Sequence, residues 1–394
     1  MSFEMRHMSS SKVALLSSES YGEESKSVVE EAINLIGGIE EIVRSGDTVL
    51  IKPNLVNARD GISGNMTHFS LVERLIELCY NAGADEIFVG DGSGNAVTFE
   101  AFKSSGMKKV VDRLKGDGIP VRFVDLNFDK NPETDEFDAV DLGSYALNSG
   151  HVYRVAHTVL KSDVVISVPK LKVHDGAGIT VALKIMVGIA PGGYYGFPKK
   201  GGTIKSLYEG SVKRVEVLPH GTAERKYDLI WRTIIDLNRI MLGKYPGSPK
   251  KKKYLAVVDG VIAGAYDDIN STFQLPLWKP VEVGAIIAGQ DPVAVDTVSS
   301  GVMCLCPEKI PTIVHASESG LGTMHDISVL GDRIENVRKF VPQSNDWLHI
   351  SDLGIPEVRL NYYYRVLRKN AYTIAANPTV SKIIKRIGIS KKRD

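Results

Sequence analysis

The chain is short of cysteine, of long apolar runs and of net charge, and each shortage excludes something. Three cysteines in 394 residues cannot build a disulfide scaffold and fit a reducing compartment. Cys79 sits in the helical pattern LVERLIELCY and is expected to be a buried thiol, whereas Cys304 and Cys306 in MCLCP lack the further thiols of a Cys₄ metal set. No segment reaches the roughly 18 consecutive apolar residues of a membrane span. The opening MSFEMRHMSSSKVALLS has no signal-peptide core, so a cytoplasmic location is expected. Lys and Arg total 48 against 47 Asp and Glu, a formal net charge of +1, which argues against a nucleic-acid-binding surface over the whole molecule.

What is present is an ordinary globular composition, 43% hydrophobic and 24% charged, with 37 glycines punctuating strands and helices. KVALLSS (12–18) reads as a strand, followed by a helix with Val28, Val29, Ala32, Ile33 and Ile36 on one face. DTVLIKPNL (47–55) is a buried strand, 68–80 a helix, DEIFVGDGSG a strand ending in a glycine loop, 98–114 a helix and GIPVRFVDL a strand. Further on, 163–168 reads as a strand ending at Pro169 with a polar loop KLKVHDGAG after it, TVALKIMVGIA as a helix stopped by Gly188, and 223–241 as a helix. KKKYLAVVDGVIAGA and KPVEVGAIIAGQD supply two more strands. This alternation predicts an α/β fold, with a mostly parallel sheet covered by helices. A core of 1–331, divisible into lobes of about 1–160 and 161–331, is expected to precede a 332–394 extension. That extension carries a basic amphipathic helix, with Val380, Ile383, Ile384 and Ile387 on one face and Lys382, Lys385 and Arg386 off it. The helix suits either a peripheral membrane contact or packing on its own domain or on a second subunit, as in a homo-oligomer.

In such sheets ligands bind outside the carboxyl ends of strands. Lys52 and Asn54 end one strand; Asp91, Gly92 and Ser93 end another; Lys170, Lys172 and His174 follow a third; Asp259 ends a fourth; Asp291 and Asp296 follow a fifth. Lysines here can pair with an anion, or act as bases or nucleophiles where burial lowers their pKa, and His174 can shuttle protons. Lys184, inside an apolar stretch, needs a partner, a cavity mouth or a path to the surface. GDGSG can present backbone N–H groups to an anion, or can be a plain β-to-α turn; it is neither GxGxxG nor a Walker loop. His68, His174 and His220 are a possible metal set without HExxH spacing, and His68 can equally cap a helix. Asp236 can partner a lysine or serve a buried network. The glycine-rich segment from Pro191 to Gly221 carries Lys199, Lys200, Lys205 and Lys213, which a nucleic acid could contact, but aromatic–basic interleaving is lacking.

The ordered set KPNL, a Thr-His helix start, GDG, VPKLKVH, Lys184 with a glycine four residues on, VDG and DPVAVD resembles the family known as domain of unknown function 362, over about 12–331. The resemblance implies an α/β fold distantly like the N-terminal part of nickel-pincer lactate racemase proteins, and brings no settled substrate or cofactor. Ile185 stands where the family often has Asn, and VIAGAYDDINSTFQLPLW replaces its usual glycine–proline stretch. The ferredoxin-like cysteines of many members are lacking, so no intrinsic iron–sulfur cluster is expected. Two functions remain open: an enzyme acting on a small anionic substrate, with Lys172, His174 and Lys184 catalytic, or a non-enzymatic anion- or partner-binding protein.

Overall fold

The computed structural model describes residues 10–56, 61–94, 97–148, 150–174, 177–195, 215–217, 223–225, 230–248, 251–267 and 277–339. These fall within one compact unit spanning 1–344. His220, the lysines Lys199, Lys200, Lys205 and Lys213, and the basic segment 378–387 lie outside the described residues.

The fold is α/β, built on a ten-stranded sheet. Its order runs Ile327–Gly331, Ser11–Ser17, Leu277–Gly289, Lys253–Asp267, Val164–Val168, Thr48–Pro53, Glu86–Asp91, Val121–Asp125. Lys170–His174 pairs with Lys253–Asp267 and with Gly178–Thr180. Leu277–Gly289 and Gly178–Thr180 run against their neighbours; the other pairings are parallel.

Both faces of the sheet are covered, which the near-continuous apolar strands require. Alternate residues Val49, Ile51, Ile87, Val89, Val164 and Ile166 join the core beneath Glu23–Leu35, Phe69–Asn81 and Met107–Gly116. Their neighbours Leu50, Phe88 and Val165 are buried outside that cluster, on the opposite face. Helix Pro292–Val302 packs on Leu277–Gly289, Ser11–Ser17 and Lys253–Asp267.

Four elements differ from the sequence reading. The expected helix 223–241 starts only at Ile230, and Ala223–Arg225 is a strand paired with Val215–Val217. The expected helix 98–114 is two, Thr98–Ser104 and Met107–Gly116, broken at Gly106 with φ +83°. TVALKIMVGIA is no α-helix: Gly178–Thr180 is a strand and Lys184–Ile189 a 3₁₀ turn. Its first amides, Ala182 and Leu183, bond to the buried Asp296 carboxylate. The polar loop expected after Pro169 is a strand, Lys170–His174. The Pro169 carbonyl accepts the Asp259 N–H, and pairing with Lys253–Asp267 continues beyond it.

Candidate functional site

A strand alternates its side chains between two faces, so Lys170, Lys172 and His174 share one face while Leu171 and Val173 point into core on the other. Lys170 and Lys172 are 0% and 2% exposed, and His174 is half-buried. Charged groups this deep must be bonded or neutralised.

Lys170 is bonded on three sides. Its Nζ donates to Asp259 Oδ2 at 3.0 Å, Tyr21 Oη at 2.6 Å and the Gly61 carbonyl at 3.2 Å. Asp259 also accepts from Tyr21 Oη (2.8 Å) and from the His68 backbone N–H (2.8 Å). Burial pulls Lys170 below the usual lysine pKa against the opposing pull of Asp259. Burial and the Asp259 charge push the Tyr21 phenol well up. His68 stacks on Tyr21 at 3.9 Å and 14°, and its Nδ1 accepts the Ser70 N–H, capping helix Phe69–Asn81. This is a closed network that fixes the loops around it.

Lys52, fully buried, pairs with Asp91 Oδ1 at 2.5 Å, and Asp91 Oδ2 accepts the Leu55 N–H at 2.8 Å. Asn54 links strand ends: its N–H donates to Thr67 Oγ1 and its Oδ1 accepts the Lys170 N–H. Thr67 Oγ1 in turn donates to the Val168 carbonyl. Gly188 presses on the ion pair, because a Cβ there would lie 2.3 Å from Asp91 Oδ1 and 2.6 Å from Lys52 Nζ.

Lys172 stands between these pairs. Its Nζ donates to the carbonyl oxygen (2.9 Å) and to Oδ1 (2.7 Å) of Asn65. Burial holds its pKa well below the usual lysine value. The Lys184 charge adds to this, Asp91 opposes it, and Lys170 and Lys52 add again. The local field at Lys172 is therefore positive, which favours the neutral amine and attracts an anion. Half-buried Lys184 opens the adjoining 3₁₀ turn. His174 Nδ1 accepts the Ala177 N–H at 3.2 Å, so a neutral ring carries its proton on Nε2.

Other sequence candidates stand apart or are bonded internally. Ser93 donates its N–H to Thr98 Oγ1 and its hydroxyl to the Val56 carbonyl; Asn127 Nδ2 donates to the Ser93 carbonyl. Gly92 leads into Ser93 in the same loop. Asp291 is at the opposite edge of the sheet: strand 277–289 is antiparallel, and Gly289 faces Val13 and Ala256 near the starts of their strands. It caps helix Pro292–Val302 there through the Val293 and Ala294 N–H groups. Asp296 is buried against Ala182 and Leu183, where desolvation raises its pKa well above the carboxylate range. Asp236 accepts from Leu147, Asn148 and Tyr153, a buried network remote from these lysines in the hydrogen-bond pattern. Among the described residues no three His, Cys, Asp or Glu are placed to hold a metal, and no helix is long and apolar enough to cross a membrane.

Sequence reading passed over Tyr21, Asn65 and Thr180 as site residues. It met Thr67 only within the ordered motifs of the family resemblance, and Gly188 there and as a helix stop, with no role at the site. Tyr21, Asn65 and Thr180 carry no spacing signal. The GDGSG and KLKVH signals located the loops and missed the partners that come from elsewhere in the chain.

Among solved structures the chain is similar to the lactate racemase apoprotein from Thermoanaerobacterium thermosaccharolyticum, with TM-score 0.38 and 15% identity, covering 74% of this chain. The chain spans 57% of the length of that structure. A thylakoid-associated protein of Synechocystis sp. is 25% identical over 357 residues, 88% of this chain and 91% of that protein. Residues 49–301, which hold every lysine and carboxylate of the cluster, match the family described as Domain of unknown function (DUF362), and the chain belongs to that family.

Proposed function

We propose that the chain is an enzyme that binds a small anionic substrate at the carboxyl edge of the sheet and moves a proton with Lys172. One observation carries this reading: Lys52, Lys170 and Lys172 are all buried within one charge cluster, with Lys184 at its half-buried margin. Assembling like charges in a desolvated place destabilises the fold, and an anion bound there offsets the cost. Asp91 and Asp259 each hold one lysine in place. Lys184 supplies the attraction, and the neutral Lys172 amine sits within its field. In its neutral form Lys172 accepts a proton and, as the ammonium, returns it, while the Nε2–H of His174, two residues along the same strand face, offers a hydrogen bond to the charge that develops on the substrate. A non-enzymatic binding protein would use the same lysines for affinity and have no need of a neutral amine.

Thermal unfolding of the full chain with acetate, sulfate or inorganic phosphate tests the site without knowledge of the substrate. An anion at about a hundredfold its Kd should stabilise the protein by about 2.7 kcal/mol. Lys184→Gln and Lys172→Gln should each weaken that anion about tenfold or more. Stabilisation by none of the three anions, or the same response in both variants as in the wild type, would contradict the reading.

A further inference from the structure

Two buried polar atoms flank Lys172 and do nothing for the fold. Among the described residues, Asn65 Nδ2 and Thr180 Oγ1 have no hydrogen-bond partner, although the side chains are 0% and 3% exposed. Orphaned buried donors are costly and uncommon, so each calls for a reason.

Their placement supplies one. Thr180 is the register partner of Lys172 in the antiparallel pair of strands, which puts both side chains on the same face as close neighbours. Asn65 turns both Oδ1 and its backbone carbonyl toward Lys172 Nζ, so both contacts to the lysine use acceptors of Asn65 and its NH₂ is left over. Its Nδ2 belongs to the same small planar group and so lies beside the amine. The Asn65 loop is clamped there by backbone contact. Gly64 (φ +71°) abuts the Ala263 carbonyl, and a Cβ on Gly264 would lie 2.1 Å from the Gly64 carbonyl and 2.9 Å from Lys172 Cβ. Asn65 is therefore held over the lysine by chain geometry that glycine alone permits.

We propose that Asn65 Nδ2 and Thr180 Oγ1, with Lys172, form a pocket for a single carboxylate group, and so name the substrate class as a small carboxylic acid. The inference rests on the anion-site reading above. An amide N–H, a hydroxyl and the lysine match two oxygens that accept only. A phosphate brings further oxygens and a second charge, which these three groups leave without donors.

The test compares acetate with inorganic phosphate on the full chain, by ligand-observed NMR and thermal unfolding. Wild type should bind acetate in preference to phosphate. Thr180→Val keeps the shape and removes the orphaned hydroxyl; it should raise Tm without ligand and weaken acetate about tenfold. Asn65→Asp places the protein's own carboxylate beside Lys172; it should raise Tm and abolish acetate binding. Wild-type acetate affinity in Thr180→Val, at whatever Tm, or retained binding in Asn65→Asp, overturns the pocket. Preference for phosphate or sulfate over acetate overturns the carboxylate assignment and leaves the anion site standing. Binding of no anion by the wild type overturns both.

Discussion

Asp259→Asn should destabilise the folded protein by about 3–5 kcal/mol, the usual penalty for leaving a buried charge without its partner. The substitution is isosteric and opens no cavity, so the loss isolates the charge. Asp259 is wholly buried and accepts from three donors: the Lys170 ammonium, the Tyr21 hydroxyl and the His68 N–H. An amide has one acceptor oxygen to offer and turns an NH₂ toward the other donors. Lys170 would retain Tyr21 and Gly61 as partners and lose its counter-charge. Urea unfolding should show a lower midpoint at unchanged slope. Adding Lys170→Met should recover much of the loss, because a methionine of similar volume leaves no charge without its partner. A loss under about 1 kcal/mol in the single variant would mean that Lys170 is neutral in the folded protein.

Gly188→Ala should abolish anion binding while costing about 1–3 kcal/mol of stability, the range for overpacking a filled site. The new methyl would lie 2.3 Å from Asp91 Oδ1 and 2.6 Å from Lys52 Nζ, far inside the roughly 3.5–4.0 Å of a normal contact. The 3₁₀ turn of Lys184–Ile189 must then move off the ion pair, carrying Lys184 with it, or the pair must separate. Gly188 does not lie in the left-handed region, so the penalty is steric rather than conformational. Anion titration of a variant that remains folded would check this, and unchanged affinity would remove Gly188 and its turn from the site.

The sheet was legible because its strands are fully buried and read as apolar runs: Thr48–Pro53, Glu86–Asp91 and Val164–Val168 fall within a residue or two of expectation. Direction was not legible. An antiparallel strand buried on both faces has the same composition as a parallel one, so Leu277–Gly289 gave no sign that it reverses and carries Asp291 to the far edge. KLKVH read as a loop because three of its five residues are polar. Its strict alternation is that of a strand whose buried face is polar. The loops of the site were found from strand ends, and its partners were not. Tyr21 is 149 residues from Lys170 and Asn65 is 107 from Lys172, and no local pattern encodes such pairings.

The most direct measurement is the titration of Lys172 by NMR on protein carrying ¹³C at lysine Cε, with Lys172→Gln to assign the signal. The account predicts a midpoint well below the usual lysine value of about 10.4, and an upward shift when acetate is added, because a bound negative charge favours the ammonium form. A midpoint near the usual value, unmoved by acetate, sulfate or phosphate, would contradict both the buried positive field at Lys172 and the anion site built on it.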